Sequence, residues 1–343
     1  MSRTPFNEHS RIEMAHGSGG RAMAQLIDQL FLQAFDNAIL NEKNDAACLP
    51  SPTERLIVTT DCHVISPLYF PGGDIGSLSI HGTINDIAMA GGHPQYITCG
   101  FILEEGFLIK DLQRIVNSMA HAAKQADVAI ICGDTKVVEK GKGDGVFITC
   151  TGVGALHHDA KLSPRHIRAG DKIIINGSLG DHGISVLSLR ENLGFHTTLT
   201  SDSAALHGLV EEVLNGFGHH IHCLRDPTRG GVAATLNELA EQSQQGMRLY
   251  EKHLPIKPEV YAACELLGFD PLHIANEGKL VAFCAADIAQ DMLELMRKHP
   301  LGQDAAIIGE VINDPRHLVE LETLYGGQRI VDWIYGDQLP RIC

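Results

Sequence analysis

Leu56-Ile57-Val58-Thr59-Thr60-Asp61 runs from apolar and β-branched to acidic, and reads as a short buried strand closed by a carboxylate. Downstream, Ile75 to Ala90 has helical spacing, and Gly91-Gly92-His93-Pro94 terminates it. Tyr96 to Leu103 reads as a strand. Leu108 to Ala126 reads as an amphipathic helix with Leu112, Ile115, Val116, Met119 and Ala123 inward. Val128 to Cys132 repeats the opening pattern, a buried strand ending at Gly133-Asp134, and Val146 to Val153 is a further strand. Upstream, Met23, Leu26, Ile27, Leu30 and Phe31 recur at helical spacing after the cluster His16-Gly17-Ser18-Gly19-Gly20. Beyond a polar stretch at 156–170 the mixture returns, with strands at 172–176, 280–285, 305–311, 317–321 and 329–334. Helices are expected near 183–192, 203–214, 231–244, 258–267 and 287–299. The spacing is uneven and no Gly-x-Gly-x-x-Gly follows the first strand, which favours two α+β domains over a single dinucleotide-binding sheet. The expected division is an N-terminal arm with its glycine-rich segment over 1–43, a first domain over 44–160, a second over 161–335, and a mobile tail over 336–343.

A chain of 343 residues has room for two cores, and 44% hydrophobic with 20% charged residues is an ordinary globular composition. With 42 acidic against 27 basic side chains the net charge is −15, which argues against nucleic acid or an anionic membrane as a partner. No apolar run reaches the roughly 18 residues a span requires, and the N-terminus is polar and lacks a signal-peptide core. A cytoplasmic protein is expected. The nine cysteines are odd in number and form no Cys-x-x-Cys pair; several fall in strand-like runs and read as buried reduced thiols. Nineteen histidines include His157-His158 and His219-His220, but neither pair has ligand spacing on one helical face, so metal storage is a lesser alternative.

Aspartates recur at predicted strand ends and turns: Asn44-Asp45, Thr60-Asp61, Asn85-Asp86, Gly133-Asp134 and Arg225-Asp226-Pro227. Each pair alone is a routine turn; together they offer hard oxygen ligands of the kind Mg²⁺ takes when it reaches phosphates. Gly17-Ser18-Gly19-Gly20 and Thr228-Arg229-Gly230-Gly231 each lead into a predicted helix, whose first N–H groups can hold phosphate oxygens. Neither is a Walker A loop. The chain closes on Pro340-Arg341-Ile342-Cys343, where Gly336-Asp337 reads as a turn and Pro340 stops regular structure. A thiol on such a lead-in can carry a group between sites.

Ala15-His16-Gly17-Ser18-Gly19-Gly20, the segment from Thr60 to Gly91, Gly133 to Val138, Asp226 to Gly231, and Asn276-Glu277-Gly278 occur in this order. Together they resemble the ATP-binding family of aminoimidazole ribonucleotide synthetase, selenophosphate synthetase and thiamine-monophosphate kinase. The Pro-Arg-Ile-Cys terminus narrows the resemblance to the hydrogenase-maturation branch, the carbamoyl dehydratases, over nearly the whole chain. Asn44-Asp45-Ala46-Ala47 departs from the paired acids that relatives often carry.

The resemblance implies a two-domain fold whose first domain binds ATP and dimerises. It implies that a carbamoyltransferase, HypF, loads Cys343, that ATP drives dehydration of the S-carboxamide to an S-cyanate, and that the cyanide passes to iron on a HypC–HypD scaffold. By motif position Asp45, Asp61, Asp86, Asp134 and Asp226 are the Mg²⁺ ligands. Gly17, Ser18, Gly19, Gly20, Asn85, Thr228, Arg229 and Gly230 are the nucleotide contacts. Cys343 is the carrier, Glu277 the base, Lys136 a polarising or relay group, and His81 an orienting group. The chemistry is consistent: amide oxygen leaves poorly until phosphorylation turns it into a phosphate ester, and the two N–H protons need a base. Rival readings are a small-molecule enzyme such as a selenophosphate synthetase, although here no Cys precedes Cys48, an ATP-gated docking module, and a histidine-rich nickel carrier.

Overall fold

The computed structural model describes residues 6–17, 21–41, 46–47, 49, 55–157, 160–190, 198–333 and 341–343. The first sheet is built from β1 (Leu56–His63), β2 (Gly92–Glu104), β3 (Ala129–Val138) and β4 (Val146–Leu156) in the order β1-β4-β2-β3, with β2–β3 its one parallel pair. One face is covered by α1 (Ile75–Met89) and α2 (Ile109–Gln125). Helix α2 buries Leu112, Ile115, Val116, Met119, Ala122 and Ala123 along a single stripe. Helix α1 is buried almost all round, because it also packs against the second half of the chain. Its start is fixed by a capping box: the Asp74 carboxylate accepts from Ser77 N at 2.9 Å, and Asp74 N donates to Ser77 Oγ at 3.1 Å. It stops at Gly91, which takes φ +80°.

All four strands of this sheet run further than expected, and two of the extensions bear on the candidate residues. β1 does not end at Asp61 but continues to His63, and β3 passes through Gly133-Asp134 to Val138. The Gly-Asp pair is no turn. Gly133 lies in the ladder, where a Cβ would stand 2.7 Å from the Cys99 carbonyl, so glycine serves close strand approach. In this register Asp134 pairs with Gly100 and Lys136 with Ile102, on the face turned away from α1 and α2. That outer face exposes Leu56 (54%), Val58 (63%) and Ile102 (43%).

The second sheet comprises β5 (Lys172–Ile175), β6 (Ile221–Arg225), β7 (Gly246–Tyr250), β8 (Val281–Cys284), β9 (Ala306–Ile312), β10 (Val319–Glu322) and β11 (Gln328–Ile330). Its order is β11-β10-β7-β9-β5-β8-β6. It is covered on both faces. Ile173 and Ile175 lie on the side of α5 (Gly231–Ser243), whereas Ile174 lies with α4 (His207–Phe217) and α7 (Ala289–Lys298). The other two α-helices described in the second half are α3 (Asp181–Arg190) and α6 (Pro258–Leu267). Strands β6 and β7 were not anticipated. Each carries a polar residue whose partner is distant in sequence: His222 Nδ1 lies 2.7 Å from Asp171 Oδ2, and Arg248 reaches Glu320 at 2.6 Å.

Candidate active site

A cleft of about 320 Å³ opens where the end of β1, the middle of α1 and two loops of the second half meet. Successive same-face positions of β1 supply Asp61 and His63, whose Oδ2 and Nε2 are 3.2 Å apart. One turn of α1 supplies Gly82 and Asp86. Gly82 is small for a reason: a Cβ there would stand 3.1 Å from His63 Nε2 and 3.5 Å from Asp61 Oδ2. The loop after β6 brings Asp226, Thr228 and Arg229 to the start of α5. Gly230 and Gly231 make that entry at φ +73° and +62°, and a Cβ on Gly231 would meet the Leu272 carbonyl at 2.5 Å. The loop before β8 brings Glu277, and Cys343 closes the wall.

Charge is crowded here. Burial alone would raise the Asp61 pKa; the hydrogen bond and charge of His63, the Cys62 N–H and Arg229 outweigh it and hold the group low. Asp86 is shifted up, mainly by burial and further by Asp61, against a 2.7 Å hydrogen bond from Thr59 Oγ1. Asp226 is pushed up to about 7 by burial and by the Asp86 charge. Glu277 is 4% exposed and is raised well above the ordinary glutamate value, by burial first and then by Asp202, Asp226 and Asp61. Its Oε1 has no hydrogen-bond partner. Three aspartates and a buried glutamate of raised proton affinity crowd one cleft, and such a site calls for cations.

The last three residues are seated against the end of β1 and against α3. Val64 N donates to Cys343 O at 3.0 Å and Ser66 N to Arg341 O at 3.1 Å. From α3, His182 Nε2 donates to Ile342 O at 2.8 Å, and Arg190 donates to Arg341 O. Since a carbonyl can only accept, the neutral ring takes Ser201 Oγ–H on Nδ1, at 2.7 Å. Ser201 opens a short junction: Asp202 Oδ1 accepts from Glu277 N at 3.3 Å and its Oδ2 pairs with Lys279 at 3.0 Å. Ser203 Oγ meets His81 Nδ1 at 3.0 Å, and Ala204 O accepts from Asn85 at 3.0 Å.

Of the expected residues, Asp61, Asp86, Asp226, Thr228, Arg229, Glu277 and Cys343 therefore share one cleft, with Gly230 immediately behind it. Others do not join them. Asn85 is 1% exposed and spends both amide hydrogens on the Ala204 and Glu277 carbonyls and its oxygen on Leu206 N, so it acts as a joint and has no donor left for a nucleotide. His81 faces Ser203, its pKa lowered to about 4 by burial and then by His207. Asp134 and Lys136 pair with each other at 3.0 Å on the outer face of β3, across the sheet from Asp61. Gly17 packs on the same strand, where a Cβ would meet Val137 N at 2.8 Å. Ser18, Gly19, Gly20 and Asp45 lie outside the described residues. His63, Gly82, His182, Arg190 and Asp202 escaped sequence reasoning. Only His63 had a signal, since strand periodicity places it on the face of Asp61.

Two family descriptions span the chain: "AIR synthase related protein, N-terminal domain" over residues 43–156, and the C-terminal domain of the same family over 168–322. The chain is 58% identical, over the full length of both, to the carbamoyl dehydratase HypE of Azotobacter vinelandii. It superposes with a TM-score of 0.92 on a crystal structure of the hydrogenase maturation protein HypE in complex with ATP, at 46% identity over 96% of this chain and 99% of that one. A HypE–HypF complex contains a similar chain, with 48% identity, a TM-score of 0.80 and coverage of 90% and 99%.

Proposed function

The chain belongs to the AIR synthase related family and, within it, to the HypE carbamoyl dehydratases of hydrogenase maturation, and we propose that its reaction takes place on Cys343, inside this cleft. An S-carbamoyl group on Cys343 is dehydrated with ATP to an S-cyanate, the source of the cyanide ligand for the iron of nickel–iron hydrogenases. HypF, which a relative binds, is the donor of the carbamoyl group, and a HypC–HypD scaffold accepts the cyanide. The observation that carries the reading is Cys343 lining one cleft with Asp61, Asp86, Asp226, Arg229 and Glu277.

The bookkeeping is simple. The amide oxygen takes the γ-phosphoryl group of ATP as ADP leaves; the carbon–oxygen bond then breaks with that oxygen departing as phosphate, the sulfur–carbon bond stays, and the two N–H protons leave. Thr228, Arg229 and the N–H groups behind the Gly230-Gly231 turn are placed to hold phosphate oxygens at the head of α5. Glu277, whose Oε1 has no hydrogen-bond partner and whose proton affinity is raised by burial and then by Asp202, Asp226 and Asp61, is the base for the amide nitrogen. Mg²⁺ fits the donor set, because Asp61, Asp86 and Asp226 present hard oxygens, and Asp86 and Asp226 are raised first by burial and then by a neighbouring aspartate, both of which a cation offsets. Among the described residues no three His, Cys, Asp or Glu side chains are grouped so as to hold a metal ion by themselves, so phosphate and water oxygens would have to complete the shell begun by one or two carboxylates. When bound it would offset phosphate charge.

Asp134, Lys136 and Gly17 enter this scheme through a second copy. Closing two four-stranded sheets about a two-fold axis, with their exposed Leu56, Val58 and Ile102 turned inward, sets the β3 edge of one copy beside the β1 edge of the other. A homodimer closed in this way would set the strand that carries Asp134 and Lys136 beside the strand that carries Asp61. The test is to carbamoylate the protein with HypF, add MgATP, and follow the intact mass and the peptide bearing Cys343. Loss of one water mass, only with hydrolysable ATP, is expected. A Cys343 that never accepts the group, or keeps it unchanged beside ATP, overturns the reading.

A further inference from the structure

The contacts of Arg341-Ile342-Cys343 have the form of a bound peptide more than of a chain end lying on a surface. All three carbonyls are held: Arg341 O by Ser66 N and Arg190, Ile342 O by His182 Nε2, and Cys343 O by Val64 N. Donors from the backbone that follows β1 on one side and from a helix on the other hold the main chain of the tail, as in main-chain recognition of a peptide. The side chains are read differently. Ile342 is 3% exposed and joins the apolar cluster that holds Ile65, Phe70, Leu187 and Leu199. Arg341 pairs with Asp144, and Cys343 is left at the cleft wall. His182 is fully buried, its ring edge-on to Phe70 at 5.4 Å, and its other nitrogen is fixed by Ser201, so its one donor is aimed before the tail arrives.

We propose that the groove between Val64–Ser66 and α3 is a peptide-binding site selective for an apolar residue before the cysteine, with Ile342 as anchor and His182 as positioning residue, and that it accepts the same sequence from a separate peptide. The inference takes from the preceding section only that Cys343 is the working thiol. Its consequence is that thiol placement depends on the penultimate side chain and on a clamp remote from the phosphate end of the cleft.

The full chain suffices for the test. Burying an isoleucine is worth at least about one decade in population, so Cys343 in Ile342→Ser should react with N-ethylmaleimide at least about tenfold faster than in wild type, read by peptide mass. His182→Phe keeps the ring packing but loses the donor, and should also speed the reaction; His182→Gln can still donate and should restore most of the protection. The synthetic peptide of residues 339–343, at millimolar concentration, should show saturation transfer to its isoleucine methyls with the Ile342→Ser chain. The same peptide carrying Ile342→Ser should show none. Equal alkylation rates in folded wild-type, Ile342→Ser and His182→Phe chains, or equal binding of the two peptides, would overturn the proposal. Neither readout involves ATP or carbamoyl chemistry, so failure here and failure of the dehydratase reading are separable.

Discussion

Replacing Asn85 by alanine separates a joint from a ligand. The amide makes three hydrogen bonds to backbone groups, at 3.0 Å to Ala204 O, 3.0 Å to Glu277 O and 2.8 Å to Leu206 N. Alanine leaves all three groups without their partner in a place where the side chain is 1% exposed. An orphaned buried polar group costs about 1–3 kcal/mol; at the low end, three of them give a loss of about 3 kcal/mol, with the small cavity adding to it. Asn85→Asp should be at least as costly, because it keeps the acceptor for Leu206 N but turns a carboxylate toward two carbonyls. The assay pairs urea denaturation with calorimetric titration of ATP under native conditions. The midpoint should fall in both variants, while the ATP dissociation constant of the folded protein moves by less than about threefold, about 0.6 kcal/mol. A stability change below about 1 kcal/mol together with lost ATP binding would refute the reasoning and return Asn85 to the nucleotide.

Glu277→Gln should accept the carbamoyl group and bind ATP yet stall before cyanate; normal dehydration by mass would remove Glu277 from the chemistry. For the proposed homodimer, mixing inactive Asp86→Ala and Asp134→Ala chains should recover roughly a quarter of wild-type turnover, since half the pairs would be hybrids with one intact site; no recovery after confirmed subunit exchange would place both residues in one chain's site. Gly231→Ala should lower the unfolding free energy by about 2 kcal/mol or more, because its φ of +62° and the Leu272 and Ile274 carbonyls leave a side chain no room; an unchanged denaturation midpoint would contradict this. His81, lowered by burial from 6.5 to about 4, takes up its proton more readily unfolded than folded. Stability should therefore be intact above pH 6.5 and fall as the pH drops, by about 2 kcal/mol at pH 5 from this group alone, and His81→Asn should flatten that slope in thermal melts.

The division into strands and helices could be read from the sequence wherever period and length agreed, as in α2, whose inward residues are the expected ones. The cleft carboxylates were legible from their local context and motif position: Asp61 follows an apolar run, Asp86 sits on a clear helix, and Asp226 opens the Asp-Pro-Thr-Arg-Gly-Gly segment. Asp134 was not, because the face a strand residue takes depends on register and on whether the strand has already ended, and Gly133-Asp134 resembles a turn until Cys99 lies beside it. Strands β6 and β7 stayed hidden because His222 and Arg248 break the apolar pattern, and only the distant Asp171 and Glu320 make those positions affordable. His182 lies 160 residues before its partner Ile342, and no local rule joins them.

The junction from Ser201 to Ala204 links in four adjacent residues the tail clamp, the Glu277 loop and two positions of α1. One short run of backbone is thereby shared by the clamp on Ile342 O, the loop that presents Glu277 and the helix that carries Asp86, so the seat of the tail and the wall of the cleft are held by the same four residues.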